Sequence, residues 1–197
     1  MILDVESAAK RLAEGEVVAY PTETVFGLGA LASSKSALAR LFALKGREPG
    51  QALSVLLPDV EALLRLAPDL PESARALAAR FWPGPLTLVV SLPSGVLSPV
   101  ASAHGVGFRC SPHPSARALA RASRRPLVST SCNRSGSPPC QSVEEIEQVF
   151  GSGLPVVEGE PGGLAPSTVV AVDAEGATQL LREGAIPYPR VLEELAA

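Results

Sequence analysis

Apolar positions along this chain switch repeatedly between helical spacing and short unbroken runs. From Glu6 to Glu14, Ala8, Ala9, Leu12 and Ala13 share one helical face and Gly15 supplies the stop. Val17 to Tyr20 predicts a short buried strand. Ser34 is placed to cap a helix through Ala37, Leu38, Leu41, Phe42 and Leu44, ending on Lys45-Gly46-Arg47. Leu53 to Leu57 predicts the next strand. Asp59 and Pro71 open two further helices, and Pro83-Gly84-Pro85 closes that region. Strands are predicted at Leu86 to Leu92, Val106 to Cys110, Leu127 to Ser131, Val169 to Val172 and Gln179 to Arg182. A helix follows Pro114, and Ser142 opens another in which Glu145 completes a capping box.

Helices alternate with strands, yet several strands follow one another directly. The expectation is an α/β fold whose sheet is mixed and curved rather than regularly doubly wound. With 197 residues, 46% of them hydrophobic, one core is affordable, and neither an internal repeat nor a linker divides the chain. Residues 1–197 are therefore expected to form a single domain. Only five Phe, two Tyr and one Trp are present, which leaves the core to Ala, Leu and Val.

The 17 basic and 20 acidic side chains give a net charge of −3, the opposite of the surplus that stable nucleic-acid binding requires. No apolar run reaches the roughly 20 residues of a membrane span. Met1 leads to Asp4 and Glu6 rather than to a basic and then apolar leader, so a cytoplasmic location is expected. Cys110, Cys132 and Cys140 lack paired short spacings, which argues against a disulfide framework and a four-ligand zinc site. No metal site built from protein ligands alone is expected.

The densest chemistry lies in Tyr20-Pro21-Thr22-Glu23-Thr24-Val25-Phe26-Gly27-Leu28-Gly29-Ala30. Two hydroxyls and a carboxylate sit in a proline-started turn, followed by glycines that admit close approach of a ligand. The glycine-rich phosphate loops of nucleotide-binding folds are missing. A nucleotide would have to be held by cations and hydroxyls on several strand ends. Lys45 and Arg47 supply a compact charge beside a planar fork, although pairing with the helix C-terminus is a competing role. Arg109 and Arg182 each end a strand, where both can lean into a cleft at one edge of the sheet. Ser129-Thr130-Ser131-Cys132-Asn133 and Ser167-Thr168 bring donors and acceptors, either for a ligand or for local turn networks. No nucleophile with an adjacent base stands out, so covalent catalysis is not expected. Cations, hydroxyls and one carboxylate suit charge stabilisation in phosphoryl or adenylyl transfer, with a magnesium ion bridging the phosphates.

Taken in order, seven motifs resemble the YrdC/TsaC family of threonylcarbamoyl-AMP synthases. They are the run from Tyr20, Lys45-Gly46-Arg47, Trp82-Pro83-Gly84-Pro85-Leu86-Thr87, Gly107-Phe108-Arg109 with His113-Pro114, Ser131-Cys132-Asn133, Ser167-Thr168-Val169-Val170, and Leu181-Arg182-Glu183-Gly184-Ala185-Ile186. The resemblance covers roughly residues 5 to 187. It implies a twisted mixed sheet flanked by helices around a large, locally positive cavity. It further implies condensation of L-threonine, bicarbonate and ATP, with Mg2+, to threonylcarbamoyl-AMP and pyrophosphate. A downstream transferase complex would pass the threonylcarbamoyl group to tRNA, and a weak or transient contact with tRNA or other double-stranded RNA is also implied.

By the same resemblance Lys45 and Arg47 are the catalytic cations near the phosphates. Thr24, Arg109, Ser129 and Ser167 hold threonine, and Arg47, Gln51, Ser131, Asn133 and Arg182 hold ATP. The chain departs from the family pattern at four positions: Glu48 stands where proline is usual, Gln51-Ala52 stands where the family has a polar or basic residue before proline, and Pro139 replaces a frequent hydroxyl. A carboxylate at Glu48 would oppose ATP unless it points away. Rival expectations are carbamoyl-adenylate chemistry on the same fold and a non-catalytic RNA-binding or ribosome-binding module.

Overall fold

The computed structural model describes residues 1–48, 50–93 and 97–196. The elements run β1 (Ile2–Leu3), α1 (Val5–Ala13), β2 (Val18–Pro21), β3 (Phe26–Leu31), α2 (Lys35–Lys45), β4 (Ser54–Leu56), α3 (Val60–Leu66), α4 (Glu72–Phe81), β5 (Leu86–Val90) and β6 (Val106–Arg109). They continue with α5 (Pro114–Ala122), β7 (Leu127–Ser131), α6 (Val143–Phe150), β8 (Val156–Val157), β9 (Thr168–Val172), β10 (Thr178–Arg182) and α7 (Tyr188–Leu195). All ten strands join one sheet in the order β1-β8-β2-β3-β7-β4-β6-β5-β9-β10. Five neighbouring pairs are antiparallel and four parallel, the mixed sheet that directly successive strands predict.

The helix starts follow side-chain capping. Ser34, Asp59 and Ser142 accept from the backbone N–H of Ala37, Ala62 and Glu145, and Asp4 does the same for Ser7. The expected capping box is shifted by one residue, because Glu145 reaches back to the N–H of Gln141 at 2.7 Å. Four elements lie outside the periodicity reading. β1 and β8 are two residues each, too short to show a period, and α7 follows a proline and buries only Val191. The run after Tyr20 is more instructive: its glycines lie inside a fully buried strand, β3, and not in the turn itself.

Register explains the shape. Ser54 is level with both Gly107 and Ser129, Gly27 with Ser131, Gly29 with Ser129, and Thr87 with Val169. Because side chains alternate across a strand, these small or polar residues crowd one face. Their neighbours Leu28, Val55, Leu88, Phe108, Val128 and Val170 occupy the other, where they join residues of α2, α3, α4 and α7 in the larger apolar core. At one end of the small-residue face, Tyr20, Leu31, Leu56 and Leu127 pack against Ala8 and Leu12 of α1 and Ala116 and Leu119 of α5. Among the described residues, no helix joins the rest of that face in either apolar cluster.

Tyr20 joins the two regions. Its fully buried ring lies across β3, so that a Cβ added at Gly27 would fall 2.9 Å from its Cζ and one at Gly29 2.9 Å from its Cε1. The phenol crosses to β7 and donates to Ser129 Oγ. Burial pushes the phenol pKa up to about 12, which keeps that donor protonated. Gly29→Ala is expected to destabilise the fold by about 1–3 kcal/mol through overpacking, read as a lower urea midpoint at an unchanged m-value.

Candidate active site

That remaining part of the small-residue face is the floor of a cavity of about 380 Å3. Gly27, Ser54, Thr87, Ser129, Ser131 and Val169 rise from the strands, while Thr22, Thr24 and Val25 come from the β2–β3 loop. Arg47 enters from the loop after α2, Pro166 and Ser167 from the approach to β9, and Arg109 and Arg182 from the ends of β6 and β10. Both strand-end arginines line this one cavity, with Arg182 on β10, the terminal strand of the sheet.

Arg109 is braced from below. Its Nε donates to Glu23 Oε1 at 3.1 Å, its Nη2 pairs with the same oxygen, and Nη2 also donates to Thr24 Oγ1 at 3.2 Å. Ser111 Oγ donates to Glu23 Oε2, so both carboxylate oxygens are occupied. The pair is well buried, with side-chain exposures of 16% for Arg109 and 7% for Glu23. Arg182 donates through Nε and Nη2 to Ser167 O at 3.2 and 2.8 Å, and through Nη2 to Ser167 Oγ at 3.1 Å. Ser167 Oγ in turn lies 2.9 Å from Thr87 Oγ1. Desolvation, and then the charge of Arg109, lower the pKa of Arg182, as two cations facing one cavity require.

Lys45 and Asn133 are not in the cavity wall. Lys45 is 2% exposed, and its Nζ donates to Ser131 O at 2.6 Å, Asn133 Oδ1 at 2.9 Å and Asn133 O at 3.1 Å. Ser131 Oγ also donates to Asn133 Oδ1 at 2.6 Å, and Asn133 Nδ2 donates to Ser137 O at 2.6 Å. All three ammonium donors thus serve the loop that carries Ser131, one layer behind the position expected for a phosphate contact. Arg47 is the member of that pair that lines the cavity, and Gln51, itself outside the lining, accepts from Arg47 Nε at 2.6 Å. Glu48 is exposed and also outside the lining, whereas Pro139 is part of it. The cavity roles of Ser54 and Thr87 and the bracing role of Glu23 are not evident from the sequence, although Thr87 stands within one of the seven motifs. The available signal was a hydroxyl interrupting an apolar strand, seen in Thr87 within Leu86 to Val90.

Among the described residues no group of three His, Cys, Asp or Glu is arranged to hold a metal ion, and Glu23 is already taken by Arg109 and Ser111. This donor set does not fit a magnesium ion held by protein ligands alone. Cys110, Cys132 and Cys140 are free and buried, and burial raises each thiol pKa. No helix among the described residues is long and apolar enough to cross a membrane.

Burial first, and the neighbouring Arg47 second, push the Lys45 pKa down to about 8 from 10.5. Between those values the unfolded chain binds a proton that the folded chain has released, so stability from this group rises with pH across that window. Lys45→Met is expected to remove that rise, checked by comparing urea unfolding of the two proteins from pH 7 upward.

Comparison with known proteins accords with this geometry. Residues 10–184 match the Sua5/YciO/YrdC family model, described as telomere recombination. The threonylcarbamoyl-AMP synthase of Bacillus subtilis is 38% identical over 190 residues, covering 95% of this chain and 55% of that protein. The threonylcarbamoyl-AMP synthase of Chromohalobacter salexigens is 38% identical over 168 residues, covering 84% of this chain and 90% of that protein. The crystal structure of Pyrococcus abyssi Sua5 complexed with L-threonine superposes with a TM-score of 0.89 at 34% identity, covering 99% of this chain and 61% of that one. The chain therefore spans about half the length of the first relative and most of the second. A match extending over residues 10–184, carried on the same mixed sheet, establishes that the chain belongs to the Sua5/YciO/YrdC family.

Proposed function

We propose that this chain is a threonylcarbamoyl-AMP synthase, a nucleotidyltransferase that condenses L-threonine, bicarbonate and ATP. The observation that carries this reading is the convergence of Arg47, Arg109 and Arg182 with the hydroxyls of Thr24, Ser129, Ser131 and Ser167 on one cavity. All three substrates present negative charge to each other, and the guanidinium groups of Arg47 and Arg182, which no carboxylate neutralises among the described residues, offset that repulsion, while Arg109, paired with Glu23, supplies hydrogen bonds. The names of the relatives, and the L-threonine bound to Pyrococcus abyssi Sua5, support the same substrates.

In this reading threonine lies over Thr24, Ser129 and Ser167 beside Arg109. Its amine adds to the carbonyl carbon of bicarbonate, and loss of water leaves the carbamate. A carbamate oxygen then attacks the α-phosphorus of ATP, and the bond to the β-phosphate oxygen breaks to release pyrophosphate. Arg47, steered by Gln51, and Arg182 with Ser131 bind the nucleotide and offset charge gathering on its phosphates. Lys45 and Asn133 serve the reaction by holding Ser131 in place, and magnesium arrives with ATP. The product is a reactive mixed anhydride, which a partner transferase would consume in modifying tRNA in the cytoplasm.

The test is pyrophosphate release with each substrate omitted in turn. Release that needs ATP, threonine and bicarbonate together supports the assignment. Release driven by carbamoyl phosphate, or tight RNA binding without turnover, overturns it. Arg47→Ala is expected to lower turnover by about 100-fold or more with little change in thermal midpoint, because its half-exposed side chain carries charge rather than packing.

A further inference from the structure

We infer that Glu23 is a positioning residue that sets which end of threonine faces which wall, an inference that rests on the reading above. Thr22 Oγ1 donates its only proton to Val25 O at 2.7 Å. It lies 2.9 Å from Thr24 Oγ1, so in that contact Thr24 is the donor; the N–H of Thr24 also donates to Thr22 Oγ1 at 3.2 Å. The single proton of Thr24 is thereby spent inside the loop. Its oxygen accepts from Arg109 Nη2, and the remaining lone pair is what Thr24 offers to the cavity.

Glu23 maintains this polarity. It takes the Nε and Nη2 edge of Arg109, which points Nη2 at Thr24, and among the described residues Nη1 has no hydrogen-bond partner. It also cancels the charge of Arg109 next to Thr24, where an uncompensated guanidinium would repel an ammonium group. Ser129 has the opposite polarity. Tyr20 donates to its Oγ, which leaves the Ser129 proton for an acceptor on the substrate. The result is an acceptor at Thr24 suited to the amine, and donors at Arg109 Nη1 and Ser129 suited to the carboxylate and the hydroxyl. The backbone cannot relax to change this. The N–H groups of Gly162, Gly163 and Leu164 donate to the carbonyls of Thr22, Thr24 and Glu23 at 2.9, 3.0 and 3.1 Å.

Two variants test the inference. Glu23→Gln keeps the shape and one acceptor for Arg109 while removing the charge. KM for threonine is expected to rise about tenfold or more with KM for ATP unchanged, the order expected for weakening a charge-assisted hydrogen bond. Equal movement of both KM values would overturn the inference. Thr24→Val is read independently by calorimetry with threonine and with 3-hydroxybutanoate, which lacks the amine. The wild-type protein should prefer threonine by about tenfold or more and the variant should lose most of that preference; an unchanged ratio counts against the inference. If the wild-type protein binds threonine with this preference but releases no pyrophosphate, the synthase reading falls and the positioning role stands. If it binds no threonine, both fall.

Discussion

The constraint on which the molecule depends is that a strand cannot choose its two faces independently of its register. The strands of this sheet carry large apolar side chains at alternate positions because the larger core demands them, with Leu28, Val55, Leu88, Phe108, Val128 and Val170 all on that side. The intervening positions are then free to be small. Gly27, Ser54, Gly107, Ser129 and Ser131 come level in the register of adjacent strands, and together they make a depression and not a packing surface. A slip of one residue would bury the hydroxyls and expose the leucines. Cavity and core are therefore two consequences of one register.

Within that depression, charge is distributed against the trend of the whole chain. A protein with a net charge of −3 turns Arg47, Arg109 and Arg182 toward one cavity and supplies one carboxylate, Glu23, beneath them. The pairing of Glu23 with Arg109 makes the arrangement asymmetric. Arg109 becomes a hydrogen-bonding fork with little net field, while Arg47 and Arg182 keep theirs, Arg47 bonded to an amide and Arg182 to a carbonyl and a hydroxyl. A cavity built this way has a nearly neutral end and a cationic end. In the proposed reaction, that division would suit a zwitterionic amino acid and a polyanionic nucleotide better than a uniform basic patch would.

How much of this could be read from the sequence differs by residue. The helices with Ser34, Asp59 and Ser142 at their starts were legible because capping is local. Arg109 and Arg182 were legible only as strand-end cations able to lean into a cleft, with an ordinary surface arginine the competing role; their place in the cavity wall decides between the two. β3 was not legible, because glycine normally argues against a strand; only the Tyr20 ring lying across Gly27 and Gly29 explains why two glycines stand there. Thr87 was hidden for the converse reason, its role depending on Ser167 eighty residues further along the chain. Glu23 could not be assigned from its neighbours at all, since both of its partners, Arg109 and Ser111, come from a distant strand and the turn after it.

The Lys45-Gly46-Arg47 step shows how two similar charges two residues apart acquire different tasks. Lys45 is the last residue of α2 and points inward with the buried face of that helix. Gly46 then adopts the left-handed conformation, with φ of 61°, and reverses the chain at the point where an L side chain is disfavoured. Arg47 leaves that turn toward the cavity, where Gln51 catches its Nε. The lysine, compact and able to give three hydrogen bonds, suits three oxygens held in fixed positions by Ser131 and Asn133. The arginine, planar and less costly to leave partly desolvated, suits a ligand that comes and goes. Exchanging them would leave a guanidinium too large for the buried pocket and an ammonium without a fork at the surface, so the order of the two cations follows from the helix end between them.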